Sequence, residues 1–344
     1  MKKNRPGTVT AMSERHCSPV AFDALCEKLT ERQDTLLLLH RNPDGDAVGS
    51  AFALRELLTS LGSRAWCVCE SEIPERLRFL SAPAQESVLL SSVPADFSDV
   101  RIISADVASP AQLGALRERF ESQTDLMIDH HGTGTPFADF YTDPHAAATG
   151  EIVFDVIRWA EREGRAHLTA RMAELLYAAI SSDTGCFRYS NVTPDTHRRA
   201  AELVATGIDC AGINHRLFDS KPLGQLRAEA MGAEHLRVSH NGRVALIAVS
   251  HAERVAAGLA DQDLETVIDV ARSLAGVEVA ISLRQPTEDG VFRASLRSSG
   301  TYNVAALCAE FGGGGHEKAA GCTICAPDIE SAAAMLTNAI RFSD

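Results

Sequence analysis

No stretch of this 344-residue chain is apolar over the length a membrane span requires. Lys2, Lys3 and Arg5 near its start are not followed by the apolar core of a secretory signal. Together these absences point to a cytoplasmic protein with a frayed N-terminus and no membrane partner. Positive charge is scarce as well: 33 Lys and Arg stand against 46 Asp and Glu, a formal net charge of −13. Wrapping a long nucleic acid rests on neutralising many phosphates, so long duplexes are excluded as partners. A small anion held by a metal and a few arginines remains compatible. The nine cysteines are an odd number in a chain with no export signal. Cys67-Val68-Cys69 and Cys322-Thr323-Ile324-Cys325 lie in apolar, strand-like surroundings with no second pair at zinc-ribbon spacing. Reduced, buried thiols are therefore favoured over a disulfide framework or a zinc site. Internal repeats and low-complexity tracts are also missing.

What is present exceeds the usual size of one hydrophobic core, so two domains are expected. Leu36 to Leu39 is a continuous apolar run before a turn, which suits a strand buried on both faces of a parallel sheet. Ala47 to Leu61 has helical apolar spacing and stops at Gly62, and a second strand follows around Ala65 to Val68. Arg101 to Ala105 and Leu126 to Ile128 are further short buried runs, with helical patterns over Ala111 to Phe120, Gly150 to Glu163, Ala170 to Ser181 and Pro194 to Ala205. Strands alternating with helices predict a doubly wound α/β domain with its ligands beyond the carboxyl ends of the strands. Beyond Gly207 the pattern becomes a polar helical linker, and from Leu236 it turns to strands at Val244 to Val249, Val277 to Leu283 and Val291 to Leu296. Pro286 to Gly290 makes a hairpin loop between the last two. The expected organisation is an α/β domain over residues 18–206, a helical linker over 207–235 and a smaller α+β domain over 236–344.

Acidic and imidazole side chains recur where the buried runs end. His40, Asp44 and Asp46 follow the first strand, Asp106 follows another, Asp129-His130-His131 follows a third, and Asp183 closes a helical pattern. Taken singly, Asp44-Gly45 reads as a turn, Asp46 as a helix N-cap and the histidine pair as polar surface. Their common position favours a divalent-metal site instead. Two ions roughly 3.5 to 4 Å apart can activate a water and neutralise charge on a phosphate under attack. Carboxylate with imidazole suits manganese or a similar hard to borderline ion, magnesium or cobalt included, and the lack of thiolate disfavours structural zinc. Asp183-Thr184-Gly185 is also an aspartic-protease signature, but that chemistry belongs to β proteins with paired catalytic carboxylates.

In the second domain, period-two alternation places Arg293, Ser295 and Arg297 on one strand face, a plausible phosphate reader. The run Gly312 to Gly315 lets an anion approach bare backbone, though a flexible hinge has the same composition. It is not a Walker loop, because no Gly-Lys-Ser/Thr follows.

The series His40 to Ser50, Asp106, Asp129-His130-His131 and Ser182-Asp183-Thr184-Gly185 resembles the DHH phosphoesterase superfamily, and Gly312 to His316 with Ala319-Ala320-Gly321 resembles its associated C-terminal domain. The likeness runs in the family's order from about Leu36 to Thr323. Within the superfamily it points to the bifunctional enzymes that degrade short oligoribonucleotides and dephosphorylate pAp (3′-phosphoadenosine 5′-phosphate) to AMP. The resemblance implies His40, Asp44 and Asp106 around one manganese ion and Asp46, Asp106, His130 and Asp183 around a second. Asp106 would bridge the ions, Asp129 would orient His130, and His131 would face the scissile phosphate. It also implies nucleotide binding by Ser295, Arg297, Ser298, Gly314, Gly315 and His316 in a cleft between the domains. Gln112 and Cys186 stand where relatives often carry basic residues, which bears on substrate contacts rather than on ligands. The nearest alternative is a phosphodiesterase acting on cyclic or linear di-nucleotides. A catalytically silent nucleotide sensor is the alternative of another class, and a homodimer is compatible with everything above.

Overall fold

Each residue of Thr35–Leu38 is buried, as a strand covered on both faces requires. The structure, a computed structural model, describes residues 17–81 and 85–342. Most of the N-terminal segment expected to fray, up to residue 16, lies outside these, as do residues 343–344 of the expected second domain. The chain divides into two units, Met1–Ser220 and Lys221–Asp344.

In the first unit the elements run α1 (Phe22–Thr30), β1 (Thr35–Leu38), α2 (Gly45–Ser60), β2 (Ala65–Val68), β3 (Arg101–Ala105), α3 (Arg117–Phe120), β4 (Leu126–Asp129), β5 (Asp139–Thr142), α4 (Thr149–Arg162), α5 (Ala170–Asp183), α6 (Pro194–Ala205) and α7 (Cys210–Asn214). The strands pair in parallel in the order β2-β1-β3-β4-β5. This is the expected doubly wound sheet, and its order reverses between β1 and β3, where such folds open a crevice at the carboxyl edge. The larger core packs α2, α4 and α5 on one face, with Phe52, Leu54, Val153 and Leu176 buried within it. A smaller one on the other face gathers Leu36, Ile102, Phe120 and Met127.

The approach of α2 to α5 rests on glycine. Gly45 and Gly49 lie one turn apart, and a Cβ at Gly49 would stand 2.5 Å from the Leu175 carbonyl oxygen and 2.9 Å from the Ala179 Cβ. Bare backbone there lets the helices close up, with Asp46 in the first turn of one and Asp183 at the end of the other.

Two details differ from the pattern-based expectation. Ala111 to Phe120 is not one helix: a 3-10 segment, Pro110–Leu116, is broken at Gly114 (φ 59°) before α3 begins. The edge strand β5, half-buried at each position, has no strong apolar signal.

The second unit contains α8 (Leu223–Glu234), β6 (Arg237–Ser239), β7 (Val244–Val249), α9 (His251–Ala256), α10 (Val267–Ser273), β8 (Val279–Arg284), β9 (Val291–Ser298), α11 (Val304–Glu310), β10 (Gly314–His316), β11 (Ala319–Cys325) and α12 (Ile329–Ala339). Its mixed sheet has the order β10-β11-β9-β8-β7-β6, with β7 and β8 parallel and the other pairs antiparallel. Helices α11 and α12 cover one face over Leu296, Phe292 and Ile281. On the other face α8 and α10 pack on Ala245, Ile247 and Ala280 of β7 and β8. Part of the glycine run is strand rather than loop. Gly315 (φ 141°) closes the β10–β11 hairpin where a Cβ would lie 2.5 Å from the Ala319 carbonyl oxygen.

Gly49→Val is expected to destabilise the chain by about 1–3 kcal/mol or more through overpacking against α5. Urea unfolding checks this, and a midpoint equal to that of the parent would contradict the close helix approach.

Candidate metal centre

The junctions after β1, β3 and β4, together with the end of α5, carry the acidic and imidazole groups. Asp44 rather than Asp46 caps α2: its Oδ1 accepts from the backbone N–H of Asp46 and of Ala47, each at 3.0 Å. The same Oδ1 lies 3.8 Å from Nε2 of His40, which is 3.7 Å from Asp106 Oδ2.

Asp46 is fully buried. Its Oδ1 accepts from Ser50 Oγ at 2.8 Å and from the Gly150 N–H at 2.9 Å, and its Oδ2 from the Thr149 N–H at 2.6 Å. Ala148, the residue before α4, offers no capping side chain. A carboxylate from α2 therefore takes that role across 103 residues of chain, at the positive end of the α4 dipole.

Asp106 ends β3 in a left-handed conformation (φ 61°). Its Oδ2 faces His40 at 3.7 Å, and its Oδ1 faces His130 Nε2 at 3.8 Å while accepting from Thr149 Oγ1 at 3.1 Å. His130 Nε2 also lies 3.2 Å from Asp183 Oδ2 and 3.9 Å from Asp46 Oδ2. One ligand atom from each of His40, Asp44 and Asp106 lies within 4.8 Å of the other two, and the same holds for Asp46, His130 and Asp183 and for Asp106, His130 and His131. Such clusters of carboxylate oxygen and imidazole nitrogen, without thiolate, have the chemistry of a divalent-metal site.

Asp129 behaves differently from the resemblance-based expectation that it orients His130. Its Oδ1 meets Nδ1 of His131 at 2.7 Å and accepts only the backbone N–H of His130, at 2.9 Å. The His130 ring instead places Nδ1 3.2 Å from the Ala146 carbonyl oxygen. The reason is extended backbone: residues two apart share a face, so Asp129 reaches His131. Gln112 is likewise occupied locally, its Oε1 accepting from the N–H groups of Ala108 at 2.6 Å and Ser109 at 3.2 Å.

Crowding of like charge shifts these groups. Burial, then the Asp106 charge, pushes Asp46 up to about 7. Burial and the Asp44 charge raise Asp106 to about 6, and burial, with the Asp46 and Asp44 charges, raises Asp183 to about 6 against its His130 hydrogen bond. Burial opposes charge on the imidazoles, but their carboxylate partners outweigh it. Asp44 holds His40 at about 9, and Asp183 with Asp46 holds His130 at about 11. His131 is raised in the same way by Asp129.

In the second unit the sheet register sorts the expected substrate contacts. Arg297 pairs with Ala319 and that residue with His316, while Ser295 pairs with Gly321 and that residue with Gly314. Arg293, Ser295, Arg297, Gly314 and His316 thus share the face opposite the Leu296 core. Ser298 and Gly315 have the other parity, and the Ser298 hydroxyl donates to the Tyr302 carbonyl at 2.6 Å. Ser298 is half-buried, and Gly315 is exposed with bare backbone. Thr149, Gly150 and Ala146 were not anticipated from the sequence. The signal available for the first two was a helix start at Thr149 with no capping residue before it.

Residues 34–180 match the model of the DHH family, N-terminal domain, and residues 244–341 match that of the DHHA1 domain. The chain is 32% identical over 304 residues to the bifunctional oligoribonuclease and PAP phosphatase NrnA of Thermus thermophilus, covering 88% of this chain and 87% of that protein. It is 26% identical over 310 residues to the cyclic-di-AMP phosphodiesterase GdpP of Geobacillus thermodenitrificans, covering 86% of this chain and 45% of the relative. An exopolyphosphatase-related protein from Bacteroides fragilis has the same fold, with a TM-score of 0.83 at 24% identity over 92% of this chain and 95% of that one. Among the described residues no helix is long and apolar enough to cross a membrane.

The raised groups bind more protons folded than unfolded, so their contribution to stability falls as pH rises. For the carboxylates the loss runs from 3.8 to about 7, and for the two histidines from 6.5 to about 9 and 11. Despite desolvation, the His40 contact lowers Asp44 to about 2, so it titrates below this window. The metal-free chain is therefore expected to lose thermal stability between pH 5 and 9, read by a melting series in chelator. Added manganese should raise Tm more at pH 8 than at pH 5.5, and an equal gain at both would contradict the carboxylate shifts.

Proposed function

The chain belongs to the DHH family, and from that membership we propose that it is a two-metal phosphoesterase that degrades short oligoribonucleotides to mononucleotides and converts pAp to AMP and phosphate. The observation that carries the reading is the double use of Asp106. Its two oxygens face different imidazoles, His40 on one side and His130 on the other, as a carboxylate bridging two ions would. In this reading His40, Asp44 and Asp106 hold one ion, and Asp46, Asp106, His130 and Asp183 hold the other. Manganese is the ion proposed, with magnesium and cobalt as alternatives. Two divalent ions supply an acidified water and neutralise charge on the phosphate.

The chain's own residues do the rest. Asp129 fixes the His131 ring through Nδ1 and favours its protonated form, so His131 is the group proposed to give a proton to the leaving oxygen. Ala146 sets the His130 ring by its carbonyl, and the α4 N-terminus with Ser50 keeps Asp46 in one orientation. Arg293, Ser295, Arg297, Ser298, Gly314, Gly315 and His316 are the proposed nucleotide-binding set, with guanidinium groups as phosphate readers. The likeness to a cyclic-di-AMP phosphodiesterase supports a second reading, cleavage of cyclic or linear di-nucleotides by the same groups.

A manganese-supplemented turnover panel read by mass spectrometry separates these readings, with a diribonucleotide, a five-nucleotide RNA, a long single-stranded RNA, pAp and cyclic di-AMP in parallel. Preferred cleavage of the short RNAs and pAp is expected. Dominance of cyclic di-AMP would favour the second reading, and silence on all substrates would reject both. Asp129→Ala should cut turnover on every substrate, by up to the roughly 10²–10⁴-fold that general-acid catalysis contributes, whereas Arg297→Ala should raise KM for the dinucleotide more than it lowers kcat. Near-parental kcat in Asp129→Ala would remove the Asp129–His131 pair from the chemistry.

A further inference from the structure

The amide of Asn191 joins two backbone segments of the metal centre. Its Nδ2 donates to the Ala147 carbonyl at 3.0 Å and to the Asp183 carbonyl at 3.1 Å. The opposite amide orientation would set an oxygen against two carbonyl oxygens, so the donor assignment is unambiguous. Asp183 is a proposed ligand, and Ala147 sits between the Ala146 carbonyl that meets the His130 ring and the Thr149 and Gly150 N–H groups that hold Asp46. One side chain therefore ties the mount of Asp183 to the mounts of His130 and Asp46.

Ala147 is gripped from its other end as well. Its N–H donates to Glu151 Oε2 at 3.1 Å, and that carboxylate accepts from Arg199 at 3.1 Å. Arg199 is in turn anchored by two hydrogen bonds to Asp155, at 3.0 and 2.6 Å. Asn191 reaches its place because Gly185, Cys186 and Phe187 all adopt positive φ (55°, 59° and 59°), which turns the chain back beside the end of α5. Consecutive left-handed residues, two of them not glycine, persist only where surrounding contacts hold them. Here the Arg188 and Tyr189 N–H groups both donate to the Thr184 carbonyl, and the Phe187 N–H donates to Thr184 Oγ1.

We infer that Asn191 is a positioning residue that sets the spacing among Asp183, His130 and Asp46 and so tunes the affinity of that ion position selectively. The inference rests on the two-metal reading above. His40 and Asp44 hang on other segments, and Asp106 meets this one only at Thr149 Oγ1, so the ion held by His40 and Asp44 should be affected less.

The test is a manganese titration of the full chain by calorimetry and electron paramagnetic resonance, comparing the parent with Asn191→Asp and Asn191→Ala. The first variant keeps the shape but turns both donors into acceptors, and the second simply removes them. Two binding events are expected in the parent, one of them weakened about 10–100-fold in both variants and the other clearly less. In turnover, kcat should fall with KM within about twofold, and excess manganese should restore it, because the loss is one of metal affinity held by outer-shell contacts. Circular dichroism of both variants identifies any that does not fold, and the other then decides. Equal weakening of both events, or unchanged binding of both, overturns the inference while leaving the two-metal reading intact. A parent that binds no manganese overturns that reading, and this inference with it.

Discussion

The architecture of the first unit depends on bringing several carboxylates together where water cannot screen them. Asp46 and Asp106 are nearly inaccessible, and Asp44 and Asp183 stand close enough to shift their titration. Left alone, such a cluster repels itself and is costly to bury. The fold answers with directed donors rather than with lysine or arginine. The first N–H groups of α4 and the Ser50 hydroxyl point at Asp46, and the Thr149 hydroxyl points at Asp106. Neutral donors steady the carboxylates without competing for the site as a fixed cation would. The glycines of α2 belong to the same solution, because only a close helix pair lets Asp46 and Asp183 face one imidazole.

Much of this was legible in the sequence because parallel sheets write their sites in a regular place. The runs at Leu36 to Leu39, Arg101 to Ala105 and Leu126 to Ile128 each end where a ligand-type residue begins, and the strands form there. Contacts between distant segments were not legible. Nothing local to Asp46 says that residue 149 will supply its hydrogen bond, and nothing local to His130 says that Ala146 will hold its ring. The pairing of Asp129 with His131 could have been anticipated, since extended chain puts alternate residues on one side. The helix spacing over Ala111 to Phe120 misled because Gly114 breaks it with a left-handed residue.

In the second unit the same two-residue period cuts in both directions. It correctly grouped Arg293, Ser295 and Arg297 on one face, and it separates Ser298 and Gly315 from them by parity once the β9–β11–β10 register is known. A glycine run alone did not reveal that half of it is strand. The bare row formed by Gly314 and Gly321 beside Ser295 leaves backbone, rather than side chains, at the surface between the two arginines of β9.

The left-handed backbone at Asp106 limits what could ever replace it. Positive φ is uncommon outside glycine, and Asn, Asp and His are the side chains enriched there. Most other side chains in that conformation crowd the following carbonyl, at about 1–2 kcal/mol per residue. A glutamate or cysteine introduced there to alter ion preference would work against the end of β3 before it met any ion. Redesign of the centre toward a softer metal would therefore begin more readily at His40 or Asp183, neither of which has positive φ, than at the aspartate between them.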